Sequence, residues 1–169
     1  EDRRVIRLSI KWLNAGVMNG STWTDTGMGT PQGAIVSPIL ANVYLHYVFD
    51  LWGHKTWRGR KASGDMIVVR YADDFVVGFQ HKWEADCFLN DLKERLAQFG
   101  LALHPDKTRL IEFGRFAKAN RKRRGQRKPE TFDFLGMTHF CDQSRKGRFR
   151  VGRKPSRKRV RRTLKRIKD

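Results

Sequence analysis

Residues 66–77 read MIVVRYADDFVV and contain the most informative pattern in the sequence. Two short apolar runs, rich in Val and Ile, flank the tetrapeptide Tyr71-Ala72-Asp73-Asp74. Runs of this kind form strands, and the polar residues between them form the connecting turn. The pattern therefore predicts a β-hairpin whose turn carries Asp73 and Asp74.

Adjacent carboxylates at the tip of an apolar hairpin repel each other and lose hydration. A divalent cation bound between Asp73 and Asp74 removes this penalty, and Mg²⁺ is usually shared between one or two carboxylates and substrate phosphates. Aspartate is also common in turns because its side chain hydrogen-bonds the nearby backbone. The spacing by itself leaves a metal site and an ordinary turn as equal alternatives.

A glycine-rich segment upstream of the hairpin precedes a helix. Glycines in the segment 29–33, Gly-Thr-Pro-Gln-Gly, allow a ligand to approach the backbone closely, and Gln32 can hydrogen-bond a phosphate or a base edge. Ser37-Pro38 is a typical helix start, because serine caps free amides and proline needs no hydrogen-bond partner there. A turn before a helix also has a purely structural explanation, so this motif is weak by itself.

Hydrophobic periodicity and turn residues predict the remaining elements. They predict helices over residues 3–18, 37–52, 83–99 and 155–168, a strand over 108–113, a hairpin from 132–140 and 148–151, and loops over 53–64 and 114–130. This order predicts an α+β fold in which an antiparallel sheet is backed by helices.

Positive charge is concentrated in the second half of the chain. The 169 residues carry a net charge of +19, and residues 101–169 contain 24 basic and 6 acidic side chains. Such a polycation binds phosphate backbones through counterion release, although a solvated basic tail is the simpler alternative. The basic run in the predicted loop supplies the candidate RNA-binding residues Arg121, Lys122, Arg123 and Arg124.

Several protein classes are excluded by simple patterns. No apolar run approaches the ~20 residues that a membrane span needs, so we expect no membrane partner. Two cysteines are too few for a disulfide scaffold, which favours a reducing, cytoplasmic setting. The phosphate-binding pattern of P-loop ATPases is absent from the sequence.

Taken together, these segments resemble the palm of a group II intron-encoded reverse transcriptase. The similar segments are the PQG and SPILAN motifs within 30–42, the YADD hairpin within 69–75, the motif over 99–108, FLG at 134–136 and the basic stretch from Arg153-Lys154. The resemblance implies a palm over residues 1–152 and the start of the thumb, or maturase X region, over 153–169. It also implies a palm-like sheet that is incomplete on its N-terminal side, without fingers and the first palm strand.

The resemblance implies an RNA-directed DNA polymerase that adds dNTPs to a DNA primer on an RNA template, and that binds intron RNA. It implies two Mg²⁺ ions, with Mn²⁺ as a substitute, held by Asp73 and Asp74. Lys107 would act near the triphosphate, although a surface lysine after a turn is the alternative. The resemblance further implies that the nucleotide or the template contacts Pro31, Gln32, Gly33 and Tyr71. It implies that Leu135 and Gly136 grip the primer, and that Arg153 and Lys154 bind RNA.

One departure from the family pattern concerns catalysis. The family has a further aspartate upstream of the first helix, and Asp25 lies after that helix instead. We therefore expect this chain alone to be inactive. A non-catalytic RNA-binding module that assists splicing is the alternative, as is the palm of a retron, diversity-generating or CRISPR-associated reverse transcriptase. The oligomeric state stays open.

Overall fold

The computed structural model describes residues 2–14, 17–19, 22–24 and 37–168. The chain divides into two units. The first comprises residues 1–63 with 70–75, and the second comprises residues 64–69 with 76–169. The predicted mixture of helices and antiparallel strands is confirmed, whereas the palm-like arrangement of a sheet backed by helices stays a prediction.

Groups of helices and groups of strands follow one another along the described part of the chain. The helices are α1 (Arg3–Leu13), α2 (Ser37–Leu45), α3 (Lys82–Ala97), α4 (Ala117–Arg123) and α5 (Arg157–Lys168). Wider π-helical segments follow α2 at His46–Asp50 and Gly53–Lys61. The strands are β1 (Val17–Asn19), β2 (Thr22–Thr24), β3 (Met66–Tyr71), β4 (Asp74–Phe79), β5 (Phe132–Phe134), β6 (Met137–Gln143) and β7 (Phe149–Pro155).

The described strands form three separate sheets rather than one. β1 pairs with β2, β3 pairs with β4, and β5, β6 and β7 follow one another in a three-stranded antiparallel sheet. The predicted hairpin is confirmed: β3 and β4 are joined at Ala72 and Asp73, so the two carboxylates lie at its tip.

The core of the first unit lies in the segments that follow α2. Val48, Phe49 and Trp57 are buried there. The ring of Phe49 packs against that of Phe75 at the tip of the hairpin, with 4.5 Å between ring centroids. Burying large aromatic rings stabilises a fold by a few kcal/mol each, so this contact anchors the tip of the hairpin to the helix.

The core of the second unit is built on one face of α3. Phe88, Leu92 and Leu96 are buried at a spacing of four residues, which places them on one side of the helix. Glu84 extends the same face and is fully buried, and its Oε1 accepts a hydrogen bond from the Gly64 amide at 3.2 Å. The predicted amphipathic helix over 83–99 is thus confirmed.

A close aromatic contact fixes the pairing of β6 with β7. Phe140 lies opposite Gly152, and its ring occupies the space where a side chain on Gly152 would lie. Lys154, two residues further along β7, places its Nζ 5.7 Å from the centroid of the same ring. A larger residue at position 152 would therefore force the Phe140 ring to move.

Four local predictions depart from the structure, and their causes differ. Residues 108–113 form no strand, whereas residues 53–61 and 117–123 are helical instead of loops. Burial of Trp57 stabilises the first of these helical segments despite its glycines. The second is composed of Ala, Lys, Arg and Asn, of which the first three are strong helix formers. The predicted helix over 3–18 ends earlier, at Leu13.

Candidate active site

The turn between β3 and β4 presents two carboxylates to solvent. Asp73 lies in the turn and Asp74 is the first residue of β4, and both side chains are exposed. Tyr71, the last residue of β3, is also exposed. Ala72 has a φ of +53°, a left-handed conformation that is uncommon for residues other than glycine. The backbone therefore holds a conformation of raised energy directly beside the carboxylates.

Arg70 connects this turn to the helical segment of the first unit. Its Nε and Nη2 donate to the two carboxylate oxygens of Asp50 at 2.8 and 2.6 Å. Its Nη1 donates to Asn42 Oδ1 and to the carbonyl oxygen of Ala72, each at 2.8 Å. One guanidinium group thus contacts two helical positions and the turn itself.

Arg70 and Asp50 each stabilise the charged form of the other. Hydrogen bonding from Arg70 lowers the pKa of Asp50, an effect that burial partly opposes. Hydrogen bonding to Asp50 raises the pKa of Arg70. Both groups therefore remain charged at neutral pH, and Arg70 is only 14% exposed. In the sequence, the one local sign of a special role for this residue is a charged side chain among the apolar residues of a predicted strand, and that sign does not reveal its partners.

The donor set at the hairpin tip is suited to a hard cation. Asp73 and Asp74 offer only oxygen atoms, which Mg²⁺ prefers, and exposure leaves room for water and substrate phosphates as further ligands. Within the described part of the chain, no group of three His, Cys, Asp or Glu side chains could hold a metal ion. The pair thus fits Mg²⁺ as two of its ligands, with others supplied from elsewhere.

Four further candidate residues are Lys107, Pro31, Gln32 and Gly33. Lys107 lies in an exposed turn of the second unit, where its amide donates to the carbonyl of His104 at 3.2 Å. Pro31, Gln32 and Gly33 lie outside the described residues. The roles inferred for all four stay predictions.

Leu135 and Gly136 form the tight turn between β5 and β6. Both have left-handed backbones, with φ of +52° and +75°. Two consecutive left-handed residues match the twist of a two-residue hairpin. The Gly136 carbonyl accepts a hydrogen bond from the Ser156 amide at 3.0 Å, just before α5. The candidate primer-grip turn is therefore attached to the start of the cationic helix.

Replacing Gly136 with alanine should destabilise the protein more than the same change at Gly147. Both glycines lie in hairpin turns at positive φ, so each substitution costs about 1 kcal/mol of backbone strain. Only at residue 136 would the new Cβ meet another group, the side chain of Arg159 at 3.1 and 3.3 Å. We expect a further loss of ~1 kcal/mol there, measured by urea unfolding. Equal losses for the two variants would contradict this assignment.

In the basic run at residues 121–124, Arg121 and Arg124 form ion pairs with glutamates. Arg121 donates to the carbonyl of Arg127 at 3.2 Å and lies 3.8 Å from Glu130, whereas Arg124 pairs with Glu112. Lys122 and Arg123 are exposed at the end of α4.

On β7, Arg153 and Lys154 are also exposed, opposite His139 and Thr138. All six of these candidate RNA-binding residues lie in the second unit.

Glu112 should make α4 sensitive to acid. Hydrogen bonds from Asn120 and then Arg124 lower the pKa of Glu112 below the ordinary value of about 4.3. A lowered folded-state pKa contributes stability that is complete above the unfolded-state pKa and is lost as pH falls through the folded-state value. We therefore expect Glu112→Gln to lower Tm by about 1–3 °C at pH 7 and by nothing well below pH 4.

Calorimetry between pH 7 and pH 2.5 tests this expectation. Glu94→Gln, at an exposed position of α3, controls for the loss of one surface carboxylate. A difference in Tm between wild type and Glu112→Gln that persists unchanged at pH 2.5 would be inconsistent with the pairing described.

Comparison with known proteins identifies the family. The family model described as reverse transcriptase (RNA-dependent DNA polymerase) matches residues 2–139, which include the hairpin with Asp73 and Asp74. The chain belongs to the reverse transcriptase family. Enzymes of this family use divalent metal ions such as Mg²⁺, in agreement with the oxygen donors at the hairpin tip.

Individual relatives agree with the intron-encoded type of reverse transcriptase. The chain is 46% identical over 46 residues to the group II intron-encoded protein LtrA of Lactococcus lactis, covering 27% of this chain and 8% of LtrA. It is 54% identical over 46 residues to an uncharacterized 91 kDa protein in the cob intron of Schizosaccharomyces pombe, covering 27% of this chain and 6% of that protein. The predicted resemblance to group II intron reverse transcriptases is confirmed.

A longer but weaker similarity covers most of the chain. Protein YkfC of Escherichia coli is 25% identical over 177 residues, covering 89% of this chain and 42% of YkfC. The chain thus spans less than half the length of each of these three relatives. Among the described helices of this reverse transcriptase, none is long and apolar enough to cross a membrane.

Proposed function

We propose that the intact protein is an RNA-directed DNA polymerase of the group II intron type, with a palm over residues 1–152 and a thumb beginning at residue 153. The main support is the family match over residues 2–139, within which two exposed carboxylates lie at the tip of a hairpin. That placement suits a reaction on a large substrate, because a primer and template can reach the carboxylates from solvent.

The reaction is nucleotidyl transfer. The 3′-hydroxyl of the primer attacks the α-phosphate of a dNTP, and pyrophosphate leaves. Asp73 and Asp74 would hold the two Mg²⁺ ions, which would supply positive charge to stabilise the attacking and leaving oxygens. Catalysis of this kind depends mostly on positioning and charge.

The other candidate residues act on the substrates. Tyr71 contacts the primer end and the nucleotide, and Pro31, Gln32 and Gly33 contact the nucleotide and template. Lys107 acts as the general acid for the leaving pyrophosphate, and its position in an exposed turn leaves it accessible to the triphosphate. Leu135 and Gly136 orient the primer strand.

RNA binding without polymerisation is the second candidate function. It is favoured by α5, which contains eight basic residues among twelve, all exposed. A helix of this charge density attracts a phosphate backbone regardless of sequence. Maturase activity, in which the protein holds intron RNA during splicing, would use this surface. The prediction that the chain alone lacks polymerase activity stays a prediction.

Extension of a labelled DNA primer annealed to RNA separates the two functions. The intact protein is incubated with the duplex, four dNTPs and Mg²⁺, and binding is measured in parallel by filter retention. Polymerase function predicts template-length DNA that disappears when the metal is chelated. Tight RNA binding with no extension at any Mg²⁺ or Mn²⁺ concentration would instead support the non-catalytic function.

A further inference from the structure

The most connected side chain near the hairpin tip is Arg70, and the proposed reaction assigns it no role. Its guanidinium group makes four hydrogen bonds of 2.6–2.8 Å, two to Asp50 and one each to Asn42 and Ala72. All four residues belong to the first unit of the chain. Such a fully engaged, mostly buried arginine has a fixed orientation, which a flexible surface ion pair does not have.

The contact with Ala72 acts directly on the neighbouring aspartate. The Ala72 carbonyl belongs to the peptide group that links Ala72 to Asp73, so the hydrogen bond from Arg70 fixes the plane of that peptide. Ala72 also has a positive φ, which costs on the order of 1 kcal/mol and needs support from its surroundings. Arg70 supplies that support at the residue that sets the direction of the Asp73 side chain.

Arg70 is itself held from the opposite side. Asp50 accepts hydrogen bonds from Nε and Nη2 along one edge of the guanidinium group, the paired geometry that arginine and carboxylate groups favour. Asn42 uses its Nδ2 to donate to the Pro38 carbonyl at 2.9 Å, which leaves its Oδ1 directed to Arg70 Nη1. The helical segment from α2 to Asp50 thus determines where the guanidinium group lies.

We propose that Arg70 is a positioning residue that sets the orientation of Asp73 for metal binding, and that Asp50 and Asn42 hold Arg70 in place. The proposal rests on the polymerase function above. Residues that orient metal ligands typically contribute 10- to 100-fold to metal affinity or activity, although they touch neither metal nor substrate.

Arg70→Lys in the intact protein tests the proposal. Lysine keeps the charge but has no fork of donors, so it cannot contact Asp50, Asn42 and Ala72 together. We expect kcat for primer extension to fall by about 10- to 100-fold, with KM for primer–template unchanged and a higher Mg²⁺ concentration needed for half-maximal rate. The matched control is Arg150→Lys, since Arg150 makes a similar short pair with Asp142 on the β6–β7 hairpin.

Asn42→Ala keeps the test decisive if Arg70→Lys unfolds. Asn42 is exposed in a helix, where alanine is well tolerated, and the change removes one of the four hydrogen bonds while leaving the Asp50 pair. We expect a several-fold fall in kcat and a raised Mg²⁺ requirement, with Tm unchanged. We also expect Arg70→Lys combined with Asp50→Asn to lose no more activity than the worse single variant, because both changes break one network.

The outcomes distinguish this proposal from the polymerase function. If Asp73→Asn abolishes extension while Arg70→Lys and Asn42→Ala retain wild-type kcat and Mg²⁺ dependence, the positioning role is wrong and the polymerase function stands. A loss of kcat that only follows a fall in Tm, with Mg²⁺ dependence unchanged, also overturns the positioning role. If Asp73→Asn extends primers as well as wild type, the polymerase assignment of this hairpin is itself wrong.

Discussion

Asp73→Asn in the intact protein is expected to reduce kcat for primer extension by about 10³-fold. The amide keeps the size of the side chain but removes the charge proposed to hold Mg²⁺ at the hairpin tip. Charge stabilisation by a bound metal is worth several kcal/mol in the transition state, and each 1.4 kcal/mol is about tenfold in rate. Single-nucleotide incorporation under pre-steady-state conditions measures this loss without interference from product release.

Asp86→Asn is the matched control for that substitution. Asp86 is an exposed carboxylate on α3 that pairs with Lys82 at 2.8 Å, so the same chemical change is made away from the hairpin tip. We expect wild-type incorporation from this variant and unchanged Tm from both. A comparable loss in the two variants would show that the effect does not arise from the proposed metal site.

Neutralising α5 is expected to weaken RNA binding by about 100-fold or more at 0.1 M salt. The substitutions are Arg161, Arg162, Lys165 and Arg166 to Gln, which remove half of the basic residues of this exposed helix. Each phosphate contact contributes about 0.7 to the slope of log affinity against log salt concentration for single strands, so the slope should fall by about 2 to 3. Filter binding across a salt series measures both quantities.

The control for α5 removes the same number of charges from α1. Arg3, Arg4, Arg7 and Lys11 are exposed there and lie outside the cationic half of the chain. Changing these four to Gln should leave the salt slope within about 1 of the wild-type value. If the slope of log affinity against log salt concentration falls equally in both quadruple variants, RNA binding follows total charge. In that case α5 is not a specific surface for RNA.

The elements that were correctly predicted share strong local signals. The β3–β4 hairpin has β-branched runs on both sides of a polar turn, and α3 has an apolar residue at nearly every third or fourth position. In such segments, local preference and tertiary packing favour the same structure. Sequence reasoning therefore identified the hairpin tip, and with it Asp73 and Asp74, without knowledge of the fold.

The failures arise where tertiary contacts decide the structure. The segment 108–113 has apolar residues suitable for a strand but pairs with no strand among the described residues. Its last residue, Phe113, instead packs edge-on against Phe132 at 5.1 Å between centroids. Hydrophobic pattern predicts burial, but it cannot supply the neighbouring strand that a sheet requires.

The Arg70 network was missed for a related reason. Asn42, Asp50 and Arg70 are separated by 8 and 20 residues, so no local motif joins them. They meet because the segment after α2 packs on the hairpin tip through Phe49 and Phe75. Pairing across such separations follows from the fold and cannot be read from spacing.

We infer that the hairpin carboxylates perform nucleotide transfer while the basic half of the chain binds RNA independently. The most direct test measures both activities on the same preparations of wild type and Asp73→Asn, as incorporation of the templated dNMP and as RNA affinity. We predict that Asp73→Asn loses incorporation and keeps wild-type affinity and salt slope. Undiminished incorporation by Asp73→Asn, at matched Tm and Mg²⁺ concentration, would show that the hairpin carboxylates do not perform nucleotide transfer.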